Sequence, residues 1–297
     1  MSNTSSNPQH VIIDREWHIR NTLNTKLVSI TLKFASFSNE HFDLVTLRGS
    51  PLGKIRSNGP NSFVIIKLNE LKPREEKIIH MQIHLKRRQY KANDIFSYTI
   101  DDIPEKLRRK ALIQAKFFTQ RRVLNVVRRG LRRSKEILSV IEFFLNFIKR
   151  NIQCVLDAYE DSYTIFQRNY GGVEELAFAL FVLSIHSQIP ARIVKGYRII
   201  HDSSHESKLL EYAWVEVFTP DRWVAVDSCA PRILSAEDIL YYIPIKVIEN
   251  PMIKIHDFSI KFKSVKPTLR RGLSVHENRV SIKTVIGNKS IIAGIKK

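Results

Sequence analysis

Apolar and polar residues alternate along Val28, Ile30, Leu32 and Phe34, and again along Ile79, Met81, Ile83 and Leu85. A two-residue period is the signature of a half-buried β-strand. Phe63 to Leu68 supplies a third apolar run, and the turn formers Asn58-Gly59-Pro60-Asn61 and Lys72-Pro73-Arg74-Glu75 stand between the runs. Residues 10–100 therefore predict an antiparallel β-sandwich of immunoglobulin type behind a disordered tail at 1–9.

From Pro104 the period changes. Leu124, Val127, Leu131, Ser134, Leu138, Ile141, Leu145 and Ile148 recur at steps of three and four, as along one side of a helix, with Ser134 the polar intruder. Residues 101–136 form a basic helical segment, either one long helix or two with a break near Gly130, where helix propensity falls by about 1 kcal/mol relative to Ala.

The stretch from Tyr170 to Ala230 carries the densest pattern. Gly171-Gly172 interrupts the chain, Glu174 and Glu175 suit the positive end of a helix dipole, and Leu176 to Ile185 is an apolar helix that Pro190 closes. Ala191 to Ile200, Tyr212 to Phe218 and Trp223 to Val226 are β-branched and aromatic, and so predict an antiparallel sheet. Beyond it, Ser235 and Asp238 could cap a short helix. Ile253 with Ile255, Ile260 with Phe262, and Val280 with Ile282 suggest strands in a C-terminal β extension at 246–297. That extension could either continue the second sheet or pair with the first domain.

Five of these segments occur in an order that resembles the transglutaminase-like superfamily, the papain-related fold: Tyr170-Gly171-Gly172-Val173-Glu174-Glu175-Leu176-Ala177, the apolar helix, Ile189-Pro190-Ala191-Arg192-Ile193-Val194-Lys195-Gly196-Tyr197, Ala213-Trp214-Val215-Glu216-Val217, and Trp223-Val224-Ala225-Val226-Asp227. The resemblance covers residues 137–230 and implies a core domain at 137–245. The whole chain then reads as α+β, an N-terminal antiparallel β-sandwich followed by a helix-plus-antiparallel-sheet core.

The resemblance also implies a Cys at the helix N-terminus, a His opening the next strand and an Asp after it. Here those positions hold Val173, Tyr212 and Asp227. Valine has no lone pair, and a phenol of pKa about 10 is a poor general base near neutrality. An Asp without its partners performs no acyl transfer. A relocated thiol is the alternative: Cys229, two residues past Asp227, with His201 or His205 swinging in from a polar loop, would make a cysteine hydrolase or amidase. Against it, Cys229 and Cys154 both read as small apolar residues. A peptide-binding cleft around Val173, Tyr212 and Trp214 is a further expectation.

Charge changes the picture more than composition does. Lys plus Arg number 48 against 29 Asp plus Glu, a net charge of +19 and a pI near 10.0. Between Pro104 and Lys135 twelve cations face the single acid Glu105, and Arg121, Arg122, Arg128, Arg129, Arg132 and Arg133 lie opposite the apolar stripe. A solvated helix normally alternates sign, whereas here Arg128 repels Arg132 and Arg129 repels Arg133 one turn on. Arginine forks suit phosphate oxygens, so nucleic acid or another polyanion is the expected partner, with an acidic protein or membrane surface next. A bare solvated face is the bland reading.

Two cysteines at unrelated positions give neither a disulfide framework nor a metal-ligand spacing, and no cofactor motif occurs. With no apolar run at the N-terminus and none long enough to span a bilayer, a cytoplasmic protein is expected. The reading as a whole is a catalytically inactive transglutaminase-like binding or scaffold module.

Overall fold

The computed structural model describes residues 9–88, 97–155, 164–201, 206–251, 258–264, 273–286 and 289–296. Its architecture is α+β, a two-sheet sandwich against a helix-and-sheet core. The first strands are β1 (His10–Asn21), β2 (Leu27–Ser38), β3 (Phe42–Ser50), β4 (Lys54–Asn58), β5 (Asn61–Leu71) and β6 (Glu76–Arg87). The two predicted turns join β4 to β5 and β5 to β6, with Gly59 at φ 56 in the first.

Helices α1 (Glu105–Ala115), α2 (Arg121–Arg133) and α3 (Ile137–Asn151) follow, then the short parallel pair β7 (Gln153–Cys154) and β8 (Tyr170–Gly171), and helix α4 (Val173–His186). The second sheet holds β9 (Ala191–His201), β10 (Ser207–Thr219), β11 (Arg222–Asp227), β12 (Arg232–Ile233) and β13 (Tyr242–Ile248), in the order β12-β11-β10-β9-β13. The chain closes with β14 (Phe258–Ser264), β15 (Leu273–Ile286) and β16 (Lys289–Lys296).

The C-terminal extension pairs with the first domain. β14 joins one sandwich sheet (β14-β2-β5-β4), and β15 and β16 complete the other (β16-β15-β1-β6-β3). In the immunoglobulin pattern the second, fifth and fourth strands share one sheet and the third and sixth the other. Those pairings hold here, but β1 lies beside β6, and β14 takes the place next to β2. Ile253 and Ile255 lie outside the described residues, as do Met1 to Pro8 of the expected tail. Gln9, its last residue, is buried, with its amide on Thr284 at 2.8 Å and on the Leu240 carbonyl at 2.9 Å.

The basic segment is two helices, but the break between α1 and α2 falls at residues 116–120 and not near Gly130, and the apolar stripe divides again at Ser134. Ser134 is extended (φ −154, ψ 154), and the segment after it pairs with the chain before α1: the Ile100 amide donates to the Lys135 carbonyl at 2.9 Å and the Ile137 amide to that of Tyr98 at 2.8 Å. A backbone bridge to another segment thus competes with helix continuation, which no local periodicity reveals. The buried face of α2 is Val123, Val126, Val127 and Gly130, while Leu124 and Leu131 are half-buried. Gly130 is needed for packing, because a Cβ there would lie 2.9 Å from a ring carbon of Phe144.

Helix α4 is apolar on every side, as befits an element at the centre of the core. Leu176 to Leu183 are all buried, and α1, α2, α3 and β10 pack around it in one apolar cluster. A second cluster fills the sandwich and runs without interruption onto Tyr197, Ile199, Leu209, Ile243 and Ile245 of the core sheet.

Polar groups cross the same seam. The Asn61 side-chain amide donates to the Val247 carbonyl at 2.8 Å while its oxygen accepts from the Val247 amide at 2.7 Å, in the manner of a strand. Buried Glu216 accepts from Arg192 Nε at 2.7 Å and bonds His41 Nε2 at 2.6 Å. Arg87, also buried, donates to the Tyr242 carbonyl at 2.7 Å, and burial pushes its guanidinium down to about 9 against the opposing charge of Glu216. Among the described residues no helix is long and apolar enough to cross a membrane.

Candidate functional site

The three positions singled out in the sequence meet in space. Gly172 caps α4, so Val173 is its first residue, with Glu174 and Glu175 in the first turn as the dipole favours. Tyr212 lies on β10 and Asp227 ends β11, whose register against β10 is fixed by pairs such as Val215 with Val226. Val173, Tyr212, Trp214 and Tyr242 pack in one small apolar cluster with Val194 and Leu234. Val173 is 8% exposed, Tyr212 4% and Trp214 0%. Their own side chains fill the space among these residues, and a cavity opens beside Tyr212.

Asp227 is fully buried and heavily bonded. One oxygen accepts from the backbone amides of Cys229 and Ala230, both at 2.9 Å. The other accepts from the hydroxyls of Tyr242 at 2.5 Å and Tyr212 at 3.0 Å, and Arg198 lies 3.5 Å away. Arg198 Nη1 also donates to the Tyr212 oxygen at 2.9 Å. Burial, then the negative charge of Asp227, raises the pKa of both phenols well above their ordinary value of 10. Burial works against the Arg198 charge, but Tyr242, Tyr212 and Asp227 outweigh it and raise its pKa. At neutral pH the tyrosines are proton donors that spend their protons on Asp227, and no imidazole or thiol stands at the two remaining positions.

Two of these partners were missed in the sequence, for different reasons. Arg198 lies on the Val194 and Gly196 face of β9, where the two-residue period alone could have placed it. Tyr242 arrives on β13, whose pairing with β9 sets Tyr242 opposite Arg198. Nothing local signals that pairing.

The thiol required for a relocated nucleophile is not free. Cys229 is bonded to Cys154, 75 positions away in sequence, with Cα atoms 5.6 Å apart, and the described residues hold no free cysteine. The expectation that the two cysteines are unrelated fails because β7, beside Gly171 at the mouth of α4, faces the turn after β11. His201 ends β9 and bonds Ser207 at 3.1 Å, and His205 lies outside the described residues. No group of three or more metal-ligating side chains occurs among the described residues.

Beside Tyr212, a cavity of about 210 Å³ opens at the seam between sandwich and core, lined by Arg15, Glu174, Lys195, Tyr212, Lys246 and Glu277. Lys195 and Glu174 form an ion pair across it. A larger cavity of about 420 Å³ lies on the sandwich, among Asp14, Arg48, His80 and Arg279, away from the three site positions.

The arginines of α2 occupy its outer face. Arg121, Arg122, Arg128, Arg129, Arg132 and Arg133 are all exposed, and none forms an ion pair with a described residue. Arg122 donates to the Phe166 carbonyl at 2.5 Å, and Arg133 lies over the Phe143 ring at 5.0 Å.

An apolar central helix whose N-terminus meets two antiparallel strands, with Asp227 closing the second, defines a transglutaminase-like core. The model of the transglutaminase-like superfamily matches residues 125–228, so the chain carries a domain of that family, and α2 falls largely within it. Among solved structures, a "putative cysteine protease" from Cytophaga hutchinsonii is similar over 98% of this chain and 99% of that one, at 12% identity and a TM-score of 0.58. The periplasmic domain of TgpA from Pseudomonas aeruginosa is similar over 72% of this chain and 87% of that one, at 12% identity and a TM-score of 0.37. No curated protein matches the sequence.

Proposed function

We propose that this chain is a catalytically inactive transglutaminase-like protein that works by binding, and that the outer face of α2 is its contact with nucleic acid or a comparable polyanion. One observation supports the first part most directly. The carboxylate that would orient a histidine is consumed by Tyr212, Tyr242, Arg198 and two backbone amides. A group so satisfied organises a core and leaves nothing to activate. The second part rests on six exposed arginines on one helix face that form no ion pair among the described residues, an arrangement that repels itself until an anion neutralises it.

Fluorescence anisotropy of labelled nucleic acid across a salt series tests the polyanion contact. Binding with a log–log salt slope near −5, as about six neutralised duplex phosphates give, is the expected result. The variant Arg128→Glu/Arg129→Glu/Arg132→Glu/Arg133→Glu should lose it while remaining folded. Binding that is flat in salt, or that survives the reversal, removes the α2 face from the function.

The cytoplasmic placement is the expectation from the absence of an apolar N-terminal run or span, and the bond between Cys154 and Cys229 argues against a reducing compartment. Disulfides persist chiefly in oxidising compartments, and we read the compartment accordingly.

A further inference from the structure

Helix α1 turns an unusual face outward. Its inner side, Ala111 and Ala115, packs on the core, while Lys106, Arg109, Lys110 and Ile113 are exposed, as are Lys116 and Phe117 in the 3-10 turn that follows. Ile113 is 59% exposed and Phe117, one turn further on, is 62% exposed. Arg109 pairs with Glu105, and Lys110 lies 3.5 Å from Glu249. Lys106 and Lys116 make no ion pair among the described residues. Arg121 opens α2 four positions beyond Phe117 in sequence and is exposed as well.

Isolated exposed apolar residues are ordinary, but two large ones a turn apart, ringed by cations, form a surface with a definite complement. We propose that this corner docks on an anionic lipid surface, Phe117 and Ile113 entering the boundary between headgroups and acyl chains while the surrounding lysines and arginines meet the phosphates. The inference rests on the polyanion reading above and names the polyanion. Two observations favour lipid over nucleic acid. Ile113 has no π face and adds nothing to base stacking, whereas an acyl boundary accommodates it as readily as Phe117. The Cys154–Cys229 disulfide also suits a compartment outside the reducing cytoplasm.

Co-sedimentation of the full chain with phosphatidylcholine vesicles, neutral or containing one third phosphatidylglycerol, decides the matter. The wild type should sediment with anionic vesicles and not with neutral ones. Ile113→Ser/Phe117→Ser should bind anionic vesicles at least about tenfold more weakly, since the lost burial of two large side chains is worth more than a factor of ten. Both residues are solvent-facing, so the unfolding midpoint of that variant should not move. Phe117→Trp should add indole emission that shifts to the blue on anionic vesicles, and an unshifted spectrum overturns the inference. Undiminished vesicle binding by the double serine variant also overturns it. A wild type that binds nucleic acid but not anionic vesicles sinks the lipid assignment and leaves the polyanion reading standing; one that binds neither sinks both.

Discussion

The hydroxyl of Tyr242 sits 2.5 Å from the carboxylate of Asp227, closer than any other side chain bonded to that group. Two residues far apart in the fold's strand order thus share one short contact at a buried carboxylate. Removing the hydroxyl strips a buried anion of a donor, which costs about 1–3 kcal/mol. Tyr242→Phe should therefore lower the unfolding free energy by that amount in a urea titration. A neutral result would mean that Tyr212 and Arg198 suffice to hold Asp227.

The disulfide makes a prediction about labelling. Native, unreduced protein should take up no iodoacetamide, and reduction followed by unfolding should expose two sites by mass. Stoichiometric labelling of the native protein at Cys229 would revive the relocated-thiol alternative. Cys154→Ser/Cys229→Ser should cost about 2–4 kcal/mol, because the bond closes a long loop and its loss frees the unfolded chain.

Acid should loosen the seam between sandwich and core. Burial opposes the ionisation of Glu216, but the charges and hydrogen bonds of His41 and Arg192 outweigh it and pull the group down to about 2. A depressed carboxylate stabilises the fold fully above its unfolded value of 4.5, and that contribution fades as the pH falls toward 2. Glu216→Gln should be less stable than the wild type at pH 6, with the gap narrowing steadily below pH 4.5. A gap that stays constant down to pH 2 would exclude the carboxylate as its source.

Gly130 should resist a change that helix propensity recommends. In an isolated helix Ala is favoured over Gly by about 1 kcal/mol. Here the added Cβ would meet Phe144, which is fully buried, at 2.9 Å and Phe143 at 3.0 Å. Gly130→Ala should destabilise by about 1–2 kcal/mol net, as overpacked cores do. A stabilised variant would show that α2 moves freely on α3.

The sequence by itself determined the elements whose physics is local. Alternation at Val28 to Phe34 and Ile79 to Leu85 marked strands that are there. The glycine pair followed by Glu174, Glu175 and the run from Leu176 to Ile185, apolar but for Ser184, marked α4, and Val173, Tyr212 and Asp227 stood out because their neighbours formed a recognisable order. The exposed arginines of α2 were legible for the same reason, since charge and period lie in the residues themselves. Only the tertiary structure decided what those residues meet. A backbone bridge from Tyr98 and Ile100 ends α2 at Ser134, β13 brings Tyr242 to Asp227, and Cys154 finds Cys229 across 75 residues. β15 and β16 return to the first domain. Each is a pairing between segments distant in sequence, and its energy belongs to the contact, so neither partner carries its signature alone.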